Sequence, residues 1–328
     1  MSKADRLTEQ ISGGGSGNIA IRPGGKKGGI IRTILRDTPL YLMLLPAIAF
    51  FLVFHYQPMY GLIIAFQKYS IRRGVFGSPF VGLENFNRII ANPDFLQAFK
   101  NTFVISLMKI SVGFPAAIIF ALLLNEITHI RFKRVVQTLS YMPHFISWVI
   151  LAGIFIKLLS PTNGLINYAI SRMGFKPIYF LADRYWFRWV LVITDVYKEI
   201  GWGSIIYLSA LAGVDVELYE AARVDGITRL RAAWSITLPS IAPTIVTMLI
   251  LRMGGILNAG MDQIYLLISP PVYPVADILD TLALRLGIAG MDFPLGATIS
   301  LFKAILGLSF MLITNFICTK IVDDSGVF

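Results

Sequence analysis

Six long apolar runs, separated by short polar stretches, constrain this chain more than any other feature. They cover about residues 39–66, 102–126, 135–159, 187–211, 240–268 and 295–321. A helix of about 20 apolar residues crosses the hydrocarbon core of a bilayer. No water is available there, so each backbone N–H and C=O must be satisfied within the segment, and such runs predict helices. Composition agrees: 55% of the residues are hydrophobic and 15% charged, against about 25% charged in a soluble domain. The expected fold is therefore all-α, a polytopic membrane protein of about six transmembrane helices. The net charge of +10 would suit a nucleic-acid binder. The basic residues lie in tails and short loops between apolar runs, however, which fits the positive-inside bias instead.

Three regions result: a polar, glycine-rich tail over residues 1–38, a membrane domain over 39–321 with a prominent loop at 215–239, and a short tail at 322–328. The first tail has a composition that favours disorder, and it is too long and polar to begin a signal peptide. Its Gly25-Lys26 pair lacks the glycine five positions earlier, where Ala20 stands, and no Ser or Thr follows the lysine. It is not a phosphate loop, and the chain is not expected to bind ATP itself. With six spans both termini share one side. Placing them inside puts fourteen Lys and Arg on the inner segments and nine on the outer ones, so both tails and the 215–239 loop are expected in the cytoplasm. The single Cys318 excludes an intramolecular disulfide. His55, His129 and His144 are scattered, without metal-ligand spacing or a nucleophile–base pair.

The 215–239 loop, DVELYEAARVDGITRLRAAWSITLP, reads as helix, glycine break, helix. Asp215 is a good N-cap, and Glu217 and Glu220 lie just after it, where negative charge suits the helix dipole. Gly226 supplies the freedom for a sharp turn. Thr228 caps the second helix, which enters the membrane at Leu238-Pro239. On these features alone the loop could be a juxtamembrane helix without a partner.

The particular residues say more. Glu220-Ala221-Ala222, then Gly226 after three residues, then Ile236-Thr237-Leu238-Pro239 after nine, resembles the EAA signature of permease subunits of binding-protein-dependent, type I ABC importers. Val81-Gly82-Leu83-Glu84-Asn85-Phe86 is similar to a segment preceding the second span in sugar-importing members. Gly213-Val214-Asp215, Asp262-Gln263-Ile264-Tyr265 and Ala276-Asp277-Ile278-Leu279-Asp280-Thr281 resemble the polysaccharide and oligouronide subgroup, the aldouronate and alginate types. The resemblance runs from about Tyr41 to Lys320.

It implies a multi-pass permease of the bacterial cytoplasmic membrane, one half of a heterodimer with a second permease. Two ATPase subunits would bind ATP and Mg, a solute-binding protein outside would deliver an oligosaccharide, and this chain would carry no cofactor, metal or nucleic acid. The loop would be the cytoplasmic coupling helix, with Glu217, Glu220, Ala221, Ala222, Asp225, Gly226, Leu238 and Pro239 as the residues that dock to the ATPase. Small Ala221 and Ala222 would let a partner surface approach closely.

Within or beside the spans lie Lys109, Lys157, Arg188, Lys198, Arg252 and Lys303, against Asp195 and Glu199. Charges at such depth usually face a bundle interior or water. Asp195 shares a helix face with Lys198 and Glu199. Pairing within the bundle or snorkelling at span ends is the plainer account. The cationic surplus would suit an acidic, uronate-type cargo. The candidate translocation path is accordingly set on Lys109, Asp195, Lys198, Trp202, Arg252, Asp262 and Gln263. Two other classes are weighed: a channel or secondary transporter that needs no ATPase, and an intramembrane enzyme. Neither requires the EAA spacing.

Overall fold

The computed structural model describes residues 38–321. The glycine-rich tail expected over residues 1–38 lies outside them except for Thr38, as does the tail at 322–328. The chain divides into two compact units, one up to Tyr60 and one from Gly61 onward. The described part of the first is α1 (Thr38–Phe51), a wide π turn over Leu52–Tyr56 and a helical turn over Gln57–Met59. Pro58 lies four residues after Phe54 and has no N–H to return to its carbonyl, a natural place for the helical ladder to widen.

Among the described residues of the second unit the regular structure is all helical, apart from one isolated antiparallel bridge, Gln67–Phe80. A short α2 (Glu84–Ile90) leads into α3 (Pro93–Glu126). Asn92 caps α3 by accepting from the Asp94 N–H at 2.9 Å, and Pro93 sits where its missing N–H costs nothing. This helix begins nine residues before the expected span and continues through Pro115 without ending. At 34 residues it is about 51 Å long.

The third expected span, residues 135–159, is corrected. It is two helices, α4 (Ile130–Phe145) and α5 (Trp148–Leu158), bent by 103°. The basic loop expected before it joins the first turns of α4. A short α6 (Leu165–Arg172) comes next. The fourth span is α7 (Arg184–Leu211), capped by Asp183, which accepts from the N–H groups of Tyr185 and Trp186. Among the described residues, three helices are long and apolar enough to cross a membrane, and two bent pairs bring the number to as many as five. With 28 residues, α7 has the length. Its Arg184, Arg188, Asp195, Lys198 and Glu199 make it too polar for that count.

The expected loop is α8 (Val216–Val224) followed by α9 (Arg229–Ser240). The fifth span, expected as one helix over 240–268, is also corrected. After a 65° bend from α9 comes α10 (Ala242–Gly254), then a stretch outside any helix, then α11 (Met261–Leu267). The last helices are a short α12 (Leu279–Ala283) and α13 (Phe293–Ile321), two residues longer at its start than expected.

Helices α3 and α7 pack along each other. Where they meet α5 and α11, Ile105, Ala152, Phe187, Leu191, Ala259 and Ile264 form a fully enclosed core. A second core, of Phe95, Leu279, Leu282 and Ile299, ties the start of α3 to α12 and α13. A third, of Ala117, Ala121, Tyr207, Leu211 and Ile241, closes the other end of α3 and α7. Close approach is enforced at Gly201, where an added Cβ would lie 2.1 Å from the Ser140 carbonyl oxygen of α4.

Candidate functional site

The 215–239 stretch has the local structure its residues dictate. Asp215 accepts from the Glu217 N–H at 2.9 Å and starts α8. Gly226 ends it with φ +71°, the left-handed region that favours glycine. The Gly226 N–H donates to Arg223 O at 3.1 Å and the Ile227 N–H to Ala222 O at 2.9 Å, the paired closure of a Schellman motif. Thr228 caps α9 through the Arg231 N–H. Tyr219 and Thr237 share a hydrogen bond of 3.0 Å, which ties α8 to α9. Inside α9 the ladder widens to a π turn over Ala233–Thr237, just before Pro239. Glu217, Glu220, Ala221, Asp225, Gly226 and Pro239 are exposed, Leu238 is half-buried and Ala222 is buried. The two alanines expected to meet a partner are therefore split: Ala221 faces outward, and Ala222 packs inside the hairpin. Exposed Val216, Leu218, Val224, Leu230 and Trp234 add apolar surface around them.

The residues assigned to a path are mostly occupied by the fold. Lys109 Nζ is buried on α3. It donates to Asp195 Oδ1 at 3.0 Å, to Ala259 O at 2.8 Å and to Gln263 Oε1. Gln263 Nε2 in turn donates to Leu191 O at 2.8 Å and to Thr194 Oγ1 at 2.6 Å. Lys198 Nζ donates to three carbonyls at the α4–α5 bend: Pro143 (3.2 Å), His144 (2.6 Å) and Ile146 (2.7 Å). Asp195 and Lys198 share a face of α7 and do not pair with each other. Asp195 pairs with Lys109, and Glu199 Oε2 meets His144 Nδ1 at 2.9 Å. Trp202 stacks flat on His144, ring centroids 4.5 Å apart. Arg188 binds Val275 O and Asn101 Oδ1, and Lys303 pairs with Asp280 at 2.6 Å.

Two of the three helix breaks, at Ile146-Ser147 and at Gly255–Gly260, thus end on a lysine. Carbonyls freed where a helix stops inside a span need a donor, because water is scarce there. Lys198 supplies it at the first break and Lys109 at the second. Gly260, with φ +91°, completes the second: a Cβ there would come 2.7 Å from Lys109 Nζ.

A cleft of about 340 Å³ opens beside this break, lined by Ser106, Lys109, Asp195, Glu199, Arg252 and Asn258, among others. Of the expected path residues, Lys109, Asp195 and Arg252 line it. Gln263 is buried behind it, and Asp262, in the first turn of α11, lies outside it. Sequence reasoning singles out neither Ser106 nor Asn258. Asn258 does carry a signal, since it is the one polar side chain between Gly254-Gly255 and Gly260. Ser106 is one turn before Lys109 and has none of its own.

Comparison with known proteins places these features. The family described as "Binding-protein-dependent transport system inner membrane component" matches residues 113–323. The polygalacturonan/rhamnogalacturonan transport system permease protein YteP of Bacillus subtilis (strain 168) is 40% identical over 299 residues, 91% of this chain and 93% of that protein. A crystal structure of a bacterial ABC transporter involved in the import of the acidic polysaccharide alginate superposes with a TM-score of 0.83 at 38% identity, covering 89% of this chain and 99% of that one. A crystal structure of a bacterial alginate ABC transporter in complex with alginate pentasaccharide-bound periplasmic protein gives 0.82 at 38%, covering 90% and 98%.

Proposed function

Since this chain belongs to the binding-protein-dependent transport system inner membrane components, as a transport subunit rather than an enzyme, we propose that it is one half of a heterodimeric permease that imports an acidic oligosaccharide of the uronate type. The cargo class rests on two kinds of relative: one is a polygalacturonan/rhamnogalacturonan permease and the other imports alginate. The delivery route, from a binding protein outside a bacterial cytoplasmic membrane, is drawn by analogy with the alginate transporter that carries its loaded periplasmic protein.

The observation that carries the mechanism is the coupling hairpin. Its first helix presents Glu217, Glu220 and Ala221 to solvent, and its turn and both caps are fixed by backbone bonds. The second helix runs into the membrane through Leu238-Pro239. Such a hairpin docks on an ATPase subunit as a stiff lever. Closure of two ATP-loaded ATPases would draw two hairpins together and turn the path outward; release after hydrolysis would turn it inward. That is alternating access between discrete states. ATP and Mg belong to the ATPases. Both termini and the hairpin lie in the cytoplasm.

The test is purification of tagged chain from its native host in mild detergent, with identification of what comes with it and ATPase assay with loaded binding protein. An ATPase and a second, different permease in stoichiometric amounts, with activity stimulated by uronate-loaded binding protein, is the expected result. Uptake that persists in membranes depleted of ATP would overturn the reading in favour of a secondary transporter.

A further inference from the structure

The stretch Gly255–Gly260 leaves non-helical backbone inside a span. Such backbone is tolerated where it is enclosed by protein or lines a wet cavity, and here it does both. Ile256, Leu257 and Ala259 are buried, while Asn258 is exposed. Asn258 lines the cleft of about 340 Å³ described above and also a second cavity of about 350 Å³ that reaches Asp280 and Lys303.

Three polar groups on the first cleft are unused by the fold. The Ser106 hydroxyl is 3% exposed at the residue level and has no hydrogen-bond partner. A buried hydroxyl left unpaired is destabilising, a penalty that a visiting partner would remove. Among the described residues, Arg252 forms no ion pair or hydrogen bond through its side chain and the Asn258 side chain forms none, whereas Lys109, Asp195 and Glu199 are all engaged. Each of the three free groups comes from an element beside the Lys109 network: Ser106 from α3, Arg252 from α10 and Asn258 from the break.

We propose that this cleft holds one uronate residue of the cargo, its carboxylate on the Arg252 guanidinium and its hydroxyls on Ser106, Asn258 and Glu199. A guanidinium offers two parallel N–H donors that match a carboxylate. An amide both donates and accepts, as sugar hydroxyls do. Glu199 has one oxygen on His144, and the other accepts from a hydroxyl. Its negative charge also sets the direction, turning the carboxylate of the sugar away from α7 and toward α10. The volume is at the small end for ligand sites, which start near ~300 Å³, and suits a single ring. The cavity across Asn258 takes the neighbouring ring. This site deepens the importer reading and rests on it.

The test uses the assembled transporter with its binding protein in proteoliposomes, and two probes of equal length: trigalacturonate and its fully methyl-esterified form. The expected wild-type result is faster ATP-dependent uptake of the acid. Arg252→Gln lowers uptake of the acid about tenfold, as loss of a charged hydrogen-bonded contact should, and lowers uptake of the ester much less, so the preference for the acid collapses while the complex is still recovered intact. Arg252→Lys retains part of the preference. Ser106→Ala and Asn258→Ala slow both probes. If Arg252→Gln slows both equally, or destroys assembly, Arg252 serves the interface and the site is overturned; no effect on either probe overturns it too. A wild type that moves both probes alike, with ATP dependence intact, overturns the site and spares the importer reading. A wild type that moves neither overturns both.

Discussion

Lys109 and Lys198 each end in three hydrogen bonds, and each bonds a carbonyl that a broken helix has released. This is why two intramembrane cations that could have faced a cargo do not. An ammonium group has three donors, so neither lysine has one to spare. The energetics are asymmetric. Removing one member of a buried ion pair costs about 3–5 kcal/mol, because the other charge is left in a poor solvent, whereas replacing both with apolar groups is often near neutral. Asp195 keeps some access to the cleft, its side chain 16% exposed, so Lys109→Met should cost about 3 kcal/mol, the low end of that range. Lys109→Met combined with Asp195→Leu should recover part of the loss. Thermal unfolding of the assembled permease in detergent measures both. Equal melting of wild type and Lys109→Met would show that Asp195 has another partner.

Two elements show what close packing and backbone geometry demand. Gly201 of α7 faces the α4 backbone so tightly that a methyl group would sit 2.1 Å from Ser140 O, while at Gly203 it would meet Ala117 Cβ at an ordinary 3.4 Å. Gly201→Ala should cost about 3 kcal/mol through forced separation of the helices, and Gly203→Ala should be neutral or slightly stabilising, since alanine favours helix by about 1 kcal/mol. Yield and melting temperature of the complex compare them directly. At Gly226 an added Cβ would find nothing within 4 Å, so only the φ of +71° matters. Asparagine tolerates that region and a β-branched residue does not. Gly226→Asn should keep most substrate-stimulated ATPase activity and Gly226→Val should lose most of it, with the membrane helices still folded; similar activity in the two would remove the turn from the coupling argument. The same contrast explains what could be read in the sequence. Asp215, Gly226 and Thr228 act on backbone within a few residues, so the hairpin was legible. The bends at Ile146-Ser147 and Gly255–Gly260 sit in largely apolar runs. They are stabilised by lysines from other helices, Lys198 more than 50 residues away and Lys109 about 150. Nothing local announces such a donor, and the spacing of Asp195, Lys198 and Glu199 shows a shared face without showing which other helices supply their partners.

For the molecule as a whole, the question is whether the broken fifth span crosses the membrane or turns back. Fixed points on α3 and α7 decide it. Arg229, at the start of α9, pairs with Glu126 at the last residue of α3. Beyond the break, Gln97 in the first turns of α3 donates to Pro274 O at 2.7 Å, and Arg285 pairs with Asp94 at 3.2 Å. Burial alone would lower the Arg285 pKa, but the Asp277 and Asp94 carboxylates outweigh it and hold it above its ordinary value. On α7, the chain leaves for the hairpin after Leu211 and returns beside Arg184, whose Nε donates to Pro271 O at 3.1 Å. Between residues 229 and 271 the chain therefore travels the length of both long helices, about 40–50 Å at 1.5 Å per residue, more than a ~30 Å hydrocarbon core. The bends at residues 241 and 255–260 interrupt a crossing and do not reverse it. This predicts opposite sides for the hairpin and the α11–α12 connection. The native Cys318 is buried and lone, so Cys318→Ala gives a silent background for cysteine labelling. In intact cells a membrane-impermeant maleimide should modify Tyr273→Cys and spare Glu220→Cys, which should react once the membrane is opened. Protection of both, or reaction of both, would mean a re-entrant fifth segment and an odd number of spans. Reaction of Glu220→Cys alone would invert the chain and remove the hairpin from the reach of any cytoplasmic ATPase.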